Sequence, residues 1–200
     1  MKKFTINQNK YLDRDIKCYY NCEYIGYQKS GNPDFINHLK NMSKQHSELD
    51  LVKDFIDVYE KSIADIENIV KEEKIDMICV VPRSKAEKKY SESQLMFKKA
   101  VSCVADNLEI ENGTDVITRT KDTKTTHDWR LENNTGDMPY KGITAKTCEI
   151  NERLTKDKNI LLVDDIYTEG VNVAEDCLQT LLDFGAKSVT LYVIARTRSN

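Results

Sequence analysis

The stretch Asn159 to Asn172, NILLVDDIYTEGVN, constrains this chain more than any other. An apolar run, Ile160 to Val163, stops at two adjacent carboxylates, Asp164 and Asp165, and a helical pattern starts a few residues later. A short continuous apolar run reads as a strand buried on both faces. Such a strand delivers the acidic pair to the mouth of a loop. Thr168 supplies a hydroxyl, and Gly170 lets backbone N–H groups approach an anion at the helix N-terminus. Carboxylates facing sugar hydroxyls or a metal, with amides facing a phosphate, make a sugar-phosphate site.

The remaining periodicities supply a frame for this feature. Strands are predicted at 76–81, 115–120, 160–164 and 188–194, with a further candidate at 143–150. A long helix is predicted to open at Ser47, which together with Asp50 resembles a capping box. Its apolar positions are Val52, Phe55, Ile56, Tyr59, Ile63, Ile66, Ile69 and Val70. Further helices are predicted at about 93–107 and 173–184. Strands alternating with helices predict an α/β fold with a parallel sheet, whose carboxyl-terminal edge is where open sheets bind ligands. Residues 1–47 hold five tyrosines and a turn, KSGNPD, and are set apart as an amino-terminal cap or hood. Residues 48–200 form the α/β domain. Aromatic packing is the preferred reading of the tyrosines over a base-stacking surface.

Net charge of −3 argues against a broad basic surface for direct nucleic-acid binding. No apolar run reaches the length of a membrane helix, and no apolar segment follows the basic start, so no membrane partner and no signal peptide are expected. Cys18 and Cys22 form the one close cysteine pair, and His38 and His46 are too far apart for a zinc motif. Reduced, buried thiols in a cytoplasmic protein are expected instead.

Two other segments carry charge and polarity toward the same sheet edge. PRSKAEKKYSESQ follows the strand at 76–81 and brings Arg83, Lys85, Lys88 and Lys89. Residues 121–142 are polar, lack periodicity and hold His127 and Trp129, as an active-site lid does.

LLVDDIYTEGVNV resembles the phosphoribosyl pyrophosphate (PRPP) loop of type I phosphoribosyltransferases, and most of all the ComF-like, amidophosphoribosyltransferase-like branch. PRSKAEKKYSESQ is similar to that branch's basic loop ending in Gln, here Gln94. TRTKDT with DWRLENN is similar to its flexible loop, and GAKSVTLYVIART to its closing strand. The likeness spans about residues 70–198. It implies the type I phosphoribosyltransferase fold, a Mg2+ cofactor, PRPP or a nucleotide as the small-molecule partner, and a homodimer. It also implies transfer of ribose 5-phosphate to an amine or nucleobase with release of pyrophosphate. By this resemblance Asp164 and Asp165 hold the ribose hydroxyls and the metal. Thr168, Glu169, Gly170, Val171 and Asn172 hold the 5-phosphate, and Arg83, Ser84 and Lys85 face the pyrophosphate. Arg119, Lys121, Lys124 and Arg130 ride on a lid. Three positions depart from the family pattern: Glu169 and Asn172 replace hydroxyl residues, Val171 is bulkier than the common Ala, and Glu169 favours the phosphate loop only if its carboxylate points away. The four-cysteine zinc module common in ComF-like proteins is missing. The alternative reading is a non-catalytic binding or sensor protein of the same fold, associated with DNA uptake or processing.

Overall fold

The computed structural model describes residues 1–26, 29–32, 48–126 and 134–198. A six-stranded central sheet runs in the order β1-β2-β8-β7-β3-β4. Its strands are β1 (Lys2–Ile6), β2 (Ile16–Tyr24), β3 (Met77–Val80), β4 (Glu111–Asn112), β7 (Asn159–Tyr167) and β8 (Ser188–Thr197). Only β1 is antiparallel to its neighbour; β2, β8, β7, β3 and β4 run parallel. This is a mixed α/β architecture with a mostly parallel sheet, as the alternation of patterns predicts.

β7 lies between β3 and β8 and is covered on both faces, which is why its sequence is apolar without alternation. Leu162 and Leu191 face one layer, where Cys177, Leu178 and Leu181 of α4 (Val173–Asp183) pack. Leu161, Val163 and Tyr192 face the other. That layer is built by Val58, Ile66 and Ile69 of α1 (Glu48–Glu73) and by Ala100, Val101 and Val104 of α2 (Met96–Asn107). Two apolar layers on one sheet remove both faces from water, the main favourable contribution to folding. Among the described residues, no helix is long and apolar enough to cross a membrane.

The strand expected at 115–120 is shorter and belongs elsewhere. β5 (Ile117–Arg119) pairs antiparallel with β6 (Cys148–Ile150), itself shorter than the 143–150 expected, in a separate two-stranded sheet. Gly113 supplies the reason. A side chain there would sit 2.5 Å from the Met77 sulfur and 2.8 Å from that of Cys79, so only glycine lets the chain cross so close to β3 as it leaves the sheet. A one-turn helix, α3 (Glu152–Thr155), then leads from β6 to β7.

The amino-terminal segment read as a cap contributes β1 and β2 to the central sheet. Its Tyr19, Tyr20 and Tyr24 are buried in the cores of that sheet. Tyr27, His38, His46 and the expected cap Ser47 lie outside the described residues. Along α1 the apolar pattern overstates the buried face, since Val52 and Ile56 are exposed while Asp54, Ser62 and Asp65 are buried. Asp65 accepts bonds from the Tyr192 hydroxyl (3.1 Å) and the Asn21 amide (2.8 Å), so a polar residue is satisfied where periodicity alone expects an apolar one. All six cysteines are free thiols. Burial pushes Cys18 and Cys79 up to about 12, whereas Cys103, expected to be buried, is exposed.

Candidate functional site

The acidic pair sits two residues before the end of β7, which runs on to Tyr167 rather than stopping at Asp164. Asp164 is half-buried and accepts the Asp165 amide (2.9 Å); Asp165 accepts the Ile166 amide (2.6 Å). Burial, then the neighbouring Asp165 charge, holds the Asp164 carboxyl well above the usual carboxylate range, and Arg83 offsets this in part. A site that stores two carboxylates side by side is poised for a cation or for sugar hydroxyls.

The turn after β7 is closed by the Val171 amide donating to the Thr168 carbonyl (3.0 Å). Gly170 takes a φ of +84° and has open space where a side chain would stand. Gly170→Ala is therefore expected to cost about 1 kcal/mol of backbone strain without a clash. The urea midpoint should fall with an unchanged slope. Asn172 precedes the first residue of α4, so the amides that open this helix face the turn. Glu169 is exposed, with its carboxylate 3.9 Å from Arg196, directed toward β8 and not into the cavity. The Glu169 carboxylate thus points away from the turn that it sits in. Thr168 shares a 2.6 Å hydrogen bond with the Thr197 hydroxyl at the end of β8.

On the opposite side, Pro82–Lys85 follow β3 after one residue, Val81. The exposed Arg83 donates to the Gln94 carbonyl (3.2 Å) and lies over the Tyr90 ring at 4.8 Å. Ser84 accepts the Thr123 amide (2.7 Å) through its carbonyl. The Lys85 ammonium donates to the carbonyls of Thr123 (3.1 Å) and Thr135 (2.8 Å), so the basic loop is sewn to both arms of the polar segment. Arg119, expected on a lid, is instead buried on β5 and donates to the carbonyls of Arg83 (2.6 Å) and Gly142 (2.8 Å). A guanidinium replaces two lost water contacts at once, which is what lets it be buried here.

These elements enclose about 1020 Å³ of empty space, open to solvent, lined by Arg83, Ser84, Asp164, Asp165, Thr168 and Val171 among others. Lys124 and Arg119 also reach it. A second, more apolar chamber of about 610 Å³ shares Arg83, Arg119, Asp164 and Asp165, and adds Tyr90, Phe97 and Lys85. Lys121, Glu169, Gly170 and Asn172 line neither chamber; Lys121 is exposed, its amide bonded to the Thr147 carbonyl. Arg130, His127 and Trp129 lie outside the described residues.

Sequence reasoning missed Tyr90, Thr123, Gly142 and Asp176. Asp176 is buried in the first turn of α4 and accepts the amides of Gly142 (2.7 Å) and Ile143 (2.9 Å). Its place at a helix start was the available signal, but the acceptor role depends on a segment distant in sequence. Among the described residues no group of three or more His, Cys, Asp or Glu gathers as a metal cluster. Two carboxylates fit a Mg2+ that keeps waters and takes further oxygens from a substrate phosphate. No protein-family model matches the chain, and none of the curated proteins matches it significantly.

Proposed function

We propose that this cavity binds PRPP and that the chain is a phosphoribosyltransferase of the type I fold, similar to the ComF-like branch. The reading rests on one observation: the acidic pair on β7 stands between the basic loop after β3 and the turn before α4, whose Thr168 and Val171 line the same cavity. Asp164 and Asp165 accept hydrogen bonds from the ribose hydroxyls. Thr168 and the amides opening α4 bind the 5-phosphate. Arg83 and the Ser84 hydroxyl hold the pyrophosphate, which departs with the electron pair of the C1–O bond as the acceptor nitrogen bonds to C1 and gives up its proton to solvent. Mg2+, when bound, neutralises part of the diphosphate charge.

Calorimetry with PRPP and Mg2+ tests this. Saturable, magnesium-dependent binding that is lost in Asp165→Asn is expected. An unmodified protein that binds no PRPP would overturn the reading. A second reading, binding without turnover, is favoured by Lys85, whose ammonium is spent on two backbone carbonyls, and by Glu169 in place of a hydroxyl. Pyrophosphate release with amine and nucleobase acceptors separates the two.

A further inference from the structure

Arg119, Gly142 and Asp176 form an unbroken chain of hydrogen bonds between the two loops that face the cavity. The buried Arg119 fork grips the Arg83 carbonyl at one end and the Gly142 carbonyl at the other. The Gly142 amide continues to the buried Asp176 carboxylate on the first turn of α4. Thr147 reinforces the middle by donating to the same Gly142 carbonyl (2.5 Å). One end of the chain is the basic loop and the other is the helix that the Gly170 turn opens.

We infer that this strut sets the spacing of the two anion loops, making Arg119 and Asp176 positioning residues that select a ligand carrying a phosphate and a diphosphate on one sugar. The inference deepens the phosphoribosyl reading and rests on it for the identity of the ligand. The Arg119 guanidinium donates to the backbone carbonyls of the loops it holds, and its side chain also borders the cavity. Asp176 lines neither chamber, so it acts only through the segments it holds. A ligand that bridges two loops gains affinity only while both ends engage together, and that gain depends on the spacing. A ligand filling one loop alone is indifferent to it.

The test compares PRPP with ribose 5-phosphate and with pyrophosphate, each with Mg2+, in the full chain and in Arg119→Lys and Asp176→Ala. PRPP affinity should fall about tenfold or more while each half-ligand changes less than about twofold. Parallel losses for all three ligands, or no loss, would overturn the strut. Asp176→Asn keeps an acceptor oxygen and should restore most of the PRPP affinity. Hydrogen exchange supplies a readout that needs no ligand. In Asp176→Ala, faster exchange should spread from Gly142 and Ile143 to the amides of Ala86 and Thr123, which are bonded to Asp122 and Ser84. Exchange confined to 142–143 would also overturn the strut. If the unmodified protein binds none of the three ligands, the phosphoribosyl reading fails and the exchange measurement still decides the strut.

Discussion

Asp164→Asn is expected to weaken PRPP binding by about tenfold to a hundredfold while raising the melting temperature. A hydrogen bond from a sugar hydroxyl to a charged acceptor contributes about 1.5–3 kcal/mol, and each 1.4 kcal/mol is tenfold in affinity. The stability change has the opposite sign because Asp164 is held above the usual carboxylate range by burial and by Asp165. A carboxyl whose folded pKa is raised costs nothing below its unfolded value of about 3.8, where both states are protonated. The cost to folding grows as pH rises from there to the folded value and is complete above it. Asn removes that cost, so in metal-free buffer its advantage should be absent in acid and present at neutral pH. Each kcal/mol relieved raises the midpoint by about 2–4 °C in a chain of this size. Calorimetric melting of both proteins across this pH range checks the sign. An Asn variant that is less stable at neutral pH would show that Asp164 is a structural acceptor first.

Leu162→Ala is expected to give the largest loss of stability, about 2–5 kcal/mol. Leu162 is fully buried on β7, between Cys79 of β3 and Leu191 of β8, and packs in the layer covered by α4. Truncation removes methyl and methylene contacts and leaves a void that a central strand, paired on both sides, cannot collapse to fill. Urea unfolding should show a lower midpoint. Because Leu162 precedes Asp164 by two residues on the same face of β7, the variant should also weaken PRPP binding. A loss of unfolding free energy below about 1 kcal/mol would mean that the layer repacks.

Much of the site was readable because it is local. The acidic pair, Thr168 and Gly170 lie within one strand and one turn, and strand period and turn chemistry act over just that range. Arg83 and Ser84 were readable for the same reason, as a basic loop directly after an apolar strand. The residues whose surroundings differ from expectation are those whose partners lie far along the chain. The family resemblance puts Arg119 on a lid, yet it is held in the interior by carbonyls 36 and 23 residues away. Lys85 looked like an anion ligand, and its ammonium is engaged by carbonyls 38 and 50 residues away. The strand at 115–120 had the right local pattern and the wrong sheet, since pairing partners depend on where Gly113 lets the chain go.

The sequence by itself determined the parallel α/β character, through apolar runs short enough for strands and helices between them, and the acidic pair's position late in a central strand. Only the tertiary structure decided that residues 2–24 extend that sheet, that Glu169 turns toward Arg196, and that Arg119 and Asp176 join the two loops of the cavity. Periodicity records which face of an element is buried. Hydrogen bonds to backbone carbonyls and amides leave almost no trace in sequence, because every residue carries those groups.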